Sequence, residues 1–367
     1  MADQVATVAI SGYYGFGNAG DEAVLAGIVR SFAERCPKAK LAALSADPAA
    51  TEDVHGIRAV HRMSLGEVIG VLREADLLLS GGGSLLQNVT STRSLLYYLG
   101  IMWLAKRLGK KVMVYAQGAG PLLGRGARRA TRYVLNKVDL ITVRDEQSRL
   151  CLEELGVKGP EIRVTADPSF AVEPEPAEKA DESLSAAGAP ADVPLVGVSL
   201  RPWRDQLHWL PALARGLDSA ADRIGAALVF LPMQLDQDLG MSVQMASEMR
   251  SRSVVVAERL SPARALAVMG RMSLVVGMRL HALIFAGSMG VPFAGIAYDP
   301  KVESFVRSAI REEPLTLDGL DAARAAAWVI EAWEKRGQLA DRLAAAIPPI
   351  KAAALENASL ACALIGG

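Results

Sequence analysis

A chain of 367 residues with 51% hydrophobic side chains can bury two cores of ordinary size, which excludes a disordered chain. Its 40 basic and 40 acidic residues cancel, so no net field draws it to nucleic acid and any contact with a polyanion has to be local. Cys36, Cys151 and Cys362 lie far apart with neither metal-ligand spacing nor a disulfide framework, and are expected to be packing residues in a reducing, cytoplasmic compartment. A strand-like run begins at Val5 with no basic, apolar leader ahead of it. The most apolar long stretch, 273–298, is interrupted by Arg279, His281 and Pro292 and is a poor membrane span.

Apolar runs at 5–11, 40–45, 76–80, 112–117, 139–143 and 162–165 alternate with helical patterns, which predicts a parallel sheet with helices on both faces. The first run passes through Gly12-Tyr-Tyr-Gly15-Phe-Gly17-Asn18-Ala-Gly20-Asp21 into a helix with Val24, Leu25, Ile28, Val29 and Phe32 on one face. Gly15-x-Gly17-x-x-Gly20 matches a dinucleotide fingerprint only formally, and the second strand ends near Asp47-Pro48 without a clear ribose-binding carboxylate. Asp21 reads either as a first-turn charge, favourable to the helix dipole by about 0.3–1 kcal/mol, or as an acid or base. After Ser80 the string Gly81-Gly82-Gly83-Ser84-Leu-Leu-Gln87-Asn88-Val-Thr90-Ser91-Thr92-Arg93 replaces an ordinary strand-to-helix turn with glycines and polar groups suited to sugar hydroxyls. Gly82, Gly83, Ser84, Gln87, Thr90 and Arg93 are the acceptor-binding candidates. In the apolar helix that follows, Tyr97, Tyr98 and Trp103 read as core packing, with a part in an interface as the alternative. Arg125, Arg128, Arg129 and Arg132 form one basic helical face, either solvated or a site for phospholipid or diphosphate-lipid head groups. Arg144 ends the strand at 139–143 and is a candidate anion ligand; the alternative is a salt bridge to Asp145, the cap of the next helix.

The stretch 171–194 is an Ala, Pro and Glu mixture with few large apolar side chains, expected to be a linker or surface loop. Strands follow at 195–200, 227–231, 253–256, 274–276 and 293–296, and Ser261-Pro262 marks a helix start. Arg201 closes the first of these strands. At 273–298 a strand, tight turn, helix and strand carry Arg279 and His281 at a helix N-terminus, where an anion is at home. The imidazole of His281 suits proton transfer, and Lys301 sits past the next strand end. Several guanidinium groups in one place suit a small ligand bearing both phosphate and carboxylate. From Leu320 onward the chain is Ala-rich and helical, with a break expected at Pro348-Pro349. No nucleophile elbow, zinc motif or P-loop is present, and neither a metal nor a separate cofactor is expected. The fold class is α/β: two Rossmann-like doubly wound domains, 1–170 and 195–319, facing a cleft in a GT-B-like glycosyltransferase architecture. The segment 171–194 links them and the helices of 320–367 strap them. Such fold analogy carries no chemistry by itself.

Taken in order, Gly12 to Asp21, Gly81 to Gln87 with Thr90 to Arg93, Gly118-Ala-Gly120-Pro121, Thr142-Val-Arg144-Asp145, Ala166-Asp167-Pro168 and Gly277-Met-Arg279-Leu-His281 resemble the polysaccharide pyruvyl transferase family. They look most like its bacterial cell-wall, CsaB-like branch, and the resemblance runs to about Val302. It implies transfer of pyruvate from phosphoenolpyruvate, as co-substrate, to a lipid-linked sugar. The product is a cyclic ketal, typically across O4 and O6 of N-acetylmannosamine in a secondary wall polymer precursor, and such ketals are ligands for surface-layer proteins. It also implies His281 and Arg144 as catalytic, with Arg279 and Lys301 holding the donor's anionic groups, to which the strand-end position adds Arg201; Asp21 matches an N-terminal aspartate of the family. The expected partners are phosphoenolpyruvate and the lipid-linked acceptor, with peripheral contact at the inner membrane face and no nucleic acid. A nucleotide-sugar-dependent glycosyltransferase and a non-catalytic wall-polymer binding protein are the competing readings. The donor side is expected in the second domain and the acceptor side in the first.

Overall fold

The computed structural model describes residues 5–202 and 208–366. They fall into two compact units, Met1–Val172 with Ile350–Gly367, and Glu173–Pro349.

In the first unit, β1 (Thr7–Tyr14), α1 (Ala19–Arg35), β2 (Lys40–Ser45), α2 (Pro48–His55), β3 (Arg58–His61), α3 (Leu65–Glu74) and β4 (Leu77–Ser80) form the opening half. Then come β5 (Gly83–Leu86), α4 (Thr92–Arg107), β6 (Lys111–Ala119), α5 (Arg125–Leu135), β7 (Leu140–Val143), α6 (Glu146–Leu155) and β8 (Glu161–Val164). The strands pair in parallel in the order β3-β2-β1-β4-β6-β7-β8, with β5 added against β6. Two-residue periodicity sorts the core: Val8, Ile10, Leu77 and Leu79 pack on one side with Val24, Ile28 and Phe32 of α1, while Ala9 and Leu78 face the other with Leu72, Leu99 and Met102. β4 and β7 are buried along their whole length, as strands covered on both faces must be. The chain fills positions on one side of β1 and then returns to place β4 on the other, so the topological switch point lies at the carboxyl ends of β1 and β4. An open α/β sheet leaves its crevice there.

The second unit holds α7 (Ala177–Ala186), β9 (Leu195–Ser199), α8 (Leu210–Ile224), β10 (Ala227–Phe230), α9 (Leu235–Glu248), β11 (Ser253–Val255) and α10 (Pro262–Met269). It continues with β12 (Leu274–Gly277), α11 (Leu280–Ser288), β13 (Phe293–Ala297), α12 (Pro300–Ile310), β14 (Leu315–Thr316), α13 (Ala322–Glu334) and α14 (Arg336–Gly366), whose last residues belong to the first unit. Its sheet order is β11-β10-β9-β12-β13-β14, all parallel, with the switch point between β9 and β12. One face packs Val196, Val198, Leu228 and Leu274 against Leu213 and Leu217 of α8 and Val329 of α13. Those two helices approach closely at Gly216, where a Cβ would meet that of Ala325 at 2.4 Å.

The structure departs from the sequence expectations in five places, one of them Trp103, expected in the core but 44% exposed on α4. The segment 171–194, expected to be a linker or loop, contains α7, with Ala180, Ser183 and Leu184 buried. Its order comes from α10 and its flank: Arg264 donates to Glu175, to the Lys179 carbonyl and to Ser183, and Arg271 forks Asp181 at 2.6 and 2.7 Å. The Gly81–Arg93 string is not all turn, since β5 lies within it and pairs Gly83 with Gln117. α14 continues through Pro348 and Pro349, where a break is expected from two missing amide donors. Cys36 and Cys362, expected to be separate packing residues, are joined as a disulfide from the end of α1 to α14, with Cα atoms 6.4 Å apart. Among the described residues no helix is long and apolar enough to cross a membrane.

Candidate functional site

At the switch point of the first sheet, the loop after β1 enters α1 under an Asn18 cap whose side chain accepts from the Gly20 amide at 3.0 Å. Of the two first-turn carboxylates, Glu22 is tied into the scaffold: it accepts from the Gly15 amide at 2.8 Å and pairs with buried His55 at 3.1 Å. Asp21 lies nearer the glycine string, where a Cβ on Gly83 would stand 3.1 Å from one of its carboxylate oxygens. Gly83 has φ +89°, and a Cβ on Gly82 would press on Val24 at 2.9 Å and Pro168 at 3.1 Å, so close packing explains both glycines. Burial, and after it the Asp21 and Glu22 carboxylates, push the phenol of Tyr14 well up, which keeps it neutral.

Arg144 follows β7 and its side chain is 6% exposed. It donates to Asp167 at 3.0 Å and to the Ser84 hydroxyl at 3.1 Å, with Asp145 at 3.6 Å from its Nε. The ion pair to the Asp145 cap is therefore present, and the same side chain also touches Asp167 and a serine of the glycine string. Gly118 makes room for it: a Cβ there would stand 3.0 Å from the guanidinium and 3.1 Å from the Ser84 hydroxyl. Asp167 is itself held by the Ser169 amide and hydroxyl at 3.1 and 2.7 Å.

The rest of the polar string largely holds its own turn. Gln87 donates to Thr90 at 2.8 Å and accepts from the amides of Val89 and Thr90, and Ser91 caps α4. Arg93, in the first turn of α4, is exposed. Sequence reading missed an aromatic group beside the first loop. Tyr13 and Phe16 stack with ring centres 4.1 Å apart, and the Arg62 guanidinium lies 4.2 Å from the Tyr97 ring and 5.2 Å from that of Phe16. The run Gly12-Tyr-Tyr-Gly-Phe held the signal for this group, but only folding supplies Arg62.

In the second unit, Arg201 follows β9, with its guanidinium 5.4 Å from the Tyr298 ring and 3.4 Å from that hydroxyl. Arg279 caps α11 and His281 is half-buried in the first turn of that helix. The Arg279 fork is engaged by Asp238 of α9, through Nε at 3.0 Å and through Nη2, and the Asp238 side chain is fully buried. Asp238 also accepts from the Gln234 amide at 3.0 Å. Sequence reading missed this aspartate because Asp236 and Asp238 look alike in a helical run. Lys301 lies in the first turn of α12, its amide on the capping Asp299 at 2.9 Å. The first unit thus places Asp21, Ser84 and Arg144 near the carboxyl ends of its strands. The second places Arg201, Arg279, His281 and Lys301 likewise past the ends of β9, β12 and β13, with the charge of Arg279 met by Asp238.

A family model described as polysaccharide pyruvyl transferase matches residues 18–300. No curated protein matches the chain. Among solved structures, a putative UDP-N-acetylglucosamine 2-epimerase from Listeria monocytogenes superposes with a TM-score of 0.66 at 14% identity, covering 95% of this chain and 93% of that one. Alr3699/HepE from Anabaena, solved in complex with UDP-glucose, gives 0.61 at 14% identity over 98% of each chain. The wall teichoic acid polymerase TagF, as an H444N variant, gives 0.61 at 12% identity over 99% of this chain and 89% of that one. At these identities the likeness is one of fold, the GT-B arrangement of two Rossmann-like domains with a C-terminal helix.

Proposed function

The chain belongs to the polysaccharide pyruvyl transferase family, and from that membership we propose that it moves pyruvate from phosphoenolpyruvate to a lipid-linked, N-acetylmannosamine-containing wall polymer precursor, as in the family's bacterial cell-wall branch. The product is a 4,6-linked ketal that supports anchoring of surface-layer proteins, made at the inner membrane face in the cytoplasm. The observation that supports this reading is the family match over residues 18–300, together with a half-buried His281 in the first turn of α11, just past the carboxyl end of β12, and Arg201 past that of the neighbouring β9.

In this scheme His281 protonates the methylene carbon of phosphoenolpyruvate, which becomes the methyl group, and C2 becomes oxocarbenium-like. One sugar hydroxyl adds to C2, the C2–O bond to phosphate breaks, and the second hydroxyl closes the ketal. Of the two hydroxyl protons released, one replaces that given by His281 and the other leaves with phosphate. Arg201 and Lys301 offset the donor's carboxylate and phosphate, and Arg144 the charge that develops as phosphate departs. Arg279, with its fork on Asp238, adds to that field while fixing the turn that carries His281. Asp21 serves as a base toward a sugar hydroxyl, and Ser84, Gln87, Thr90 and Arg93 line the acceptor side with Gly82 and Gly83 shaping it. Phosphoenolpyruvate is the co-substrate, and the scheme needs no further cofactor.

The test is phosphate release from phosphoenolpyruvate with and without a lipid-linked N-acetylmannosaminyl-N-acetylglucosamine acceptor, with the product weighed for an added ketal. Acceptor-dependent phosphate together with the ketal is expected. The second reading, a nucleotide-sugar glycosyltransferase, draws on the fold shared with a protein solved with UDP-glucose. No phosphate release, together with a rise in Tm on adding a uridine diphosphate sugar, would favour it.

A further inference from the structure

Helices α4 and α5 of the first unit present a surface that the proposed chemistry does not use except at one edge, where Arg93 borders the proposed acceptor side. α4 exposes Arg93, Leu96, Gly100, Trp103 and Arg107, a stripe at spacings of three and four residues with arginine at each end. α5, packed beside α4, exposes Arg125, Arg128, Arg129, Arg132 and Tyr133. The loops ahead of the two helices are clamped together, Asn88 donating to the Leu123 carbonyl at 2.9 Å and accepting from its amide at 2.6 Å. That clamp brings Val89 and Leu123, 43% and 57% exposed, to one end of the face. At the other end Arg107 lies 5.7 Å from the Trp103 ring, and Lys137 stands 4.0 Å over Tyr133 and donates to its hydroxyl.

Among the described residues, none of these six arginines has a carboxylate within ion-pair distance. In a chain whose charges cancel overall, so many uncompensated cations on one face make a local positive field that is complementary to an anionic partner. A nucleic acid backbone would meet the arginines but gain little from exposed valine and leucine. An anionic bilayer meets both, since aliphatic side chains enter the acyl boundary while Trp, Tyr and the arginines sit at head-group level.

We propose that the α4–α5 face docks on a bilayer containing anionic phospholipid. The use of such docking rests on the proposed lipid-linked acceptor, but docking itself requires neither donor nor acceptor. The experiment is flotation of the full chain with phosphatidylcholine vesicles and with vesicles containing phosphatidylglycerol, at low and high salt. The proposal expects binding to the anionic vesicles alone, weakened by salt, and reduced at least about tenfold in the Arg125→Glu/Arg129→Glu double variant. Trp103→Ala should weaken binding while leaving its salt dependence, and unchanged circular dichroism and Tm show that each variant is folded. Equal binding to both vesicle types, or undiminished binding of the folded double variant, overturns the proposal. Tighter binding to a single-stranded RNA oligonucleotide than to vesicles, lost in the same variant, overturns it in favour of nucleic acid. Phosphate release with a water-soluble acceptor analogue is read separately. Its absence in wild type counts against pyruvyl transfer and leaves the vesicle result standing, while its retention in the variants with vesicle binding lost supports docking.

Discussion

Arg144 and Arg279 stand at comparable places in the two units, each just past the carboxyl end of a sheet strand, yet they are held in different ways. Arg144 spreads its three nitrogens over Asp167, Ser84 and Asp145, which come from three segments of the chain. Arg279 turns one whole edge of its guanidinium to a single buried carboxylate, that of Asp238. The difference separates two uses of a buried cation. Arg144 can exchange one neutral contact, the Ser84 hydroxyl, for a substrate oxygen and stay anchored. Arg279 cannot leave Asp238 without stranding a buried charge, so the pair is a pin that holds the turn before His281.

The largest expected effect lies on the chemical side of that contrast. His281→Gln should lower turnover by about 10²- to 10⁴-fold while Tm stays within a degree or two of wild type; near-normal turnover at unchanged binding removes the general-acid role. Next comes the pin. Asp238→Ala should cost about 3–5 kcal/mol in urea unfolding, and replacing both partners, Asp238→Leu with Arg279→Met, should recover much of it. A double variant no more stable than the single one contradicts the pairing account. The spread attachment of Arg144 predicts a milder response: Ser84→Ala should cost about 0.5–1.5 kcal/mol, because two carboxylates still hold the guanidinium. A loss as large as that of Asp238→Ala would abolish the distinction between the two arginines.

The smallest effect is a pH dependence confined to the first unit. Tyr98 is pushed up to about 12, first by burial and against the pull of Arg62. Its folded value lies above the unfolded one near 10, so its stabilising contribution is complete below pH 10 and is lost as pH rises towards 12. Tyr98→Phe should therefore flatten the fall in Tm across that window, and an unchanged slope would mean that the phenol ionises equally in both states.

Much of the scaffold was legible because its signals are local. The runs at 40–45 and 112–117 fall within β2 and β6, and the Ser261-Pro262 start is the cap and first residue of α10. Asp145 caps α6 through the Ser148 amide, as its place after an apolar strand suggested. Less of the candidate site could be read. Within the polar string after Ser80, expected to meet sugar hydroxyls, the residue types did not show that Gln87 would also bond Thr90 and the Val89 amide, or Ser91 the Ser94 amide. Nothing in the composition of 171–194 indicated that Arg264 and Arg271 would order a helix there.

By itself the sequence determined the alternation of strand and helix, the glycine turns at the strand ends and most helix caps, since each depends on residues within a few positions of one another. The family motifs likewise lie along the chain as short strings. Tertiary structure alone decided which distant side chains became partners. Asp238 reaches Arg279 across 41 positions, Cys36 meets Cys362 across 326, and Asn88 clamps Leu123 across 35 so that two separate helices share one basic, aromatic face. The physical reason is that sequence periodicity fixes which face of an element is buried, whereas the crossover order of the sheets fixes what that face, and its opposite, will meet.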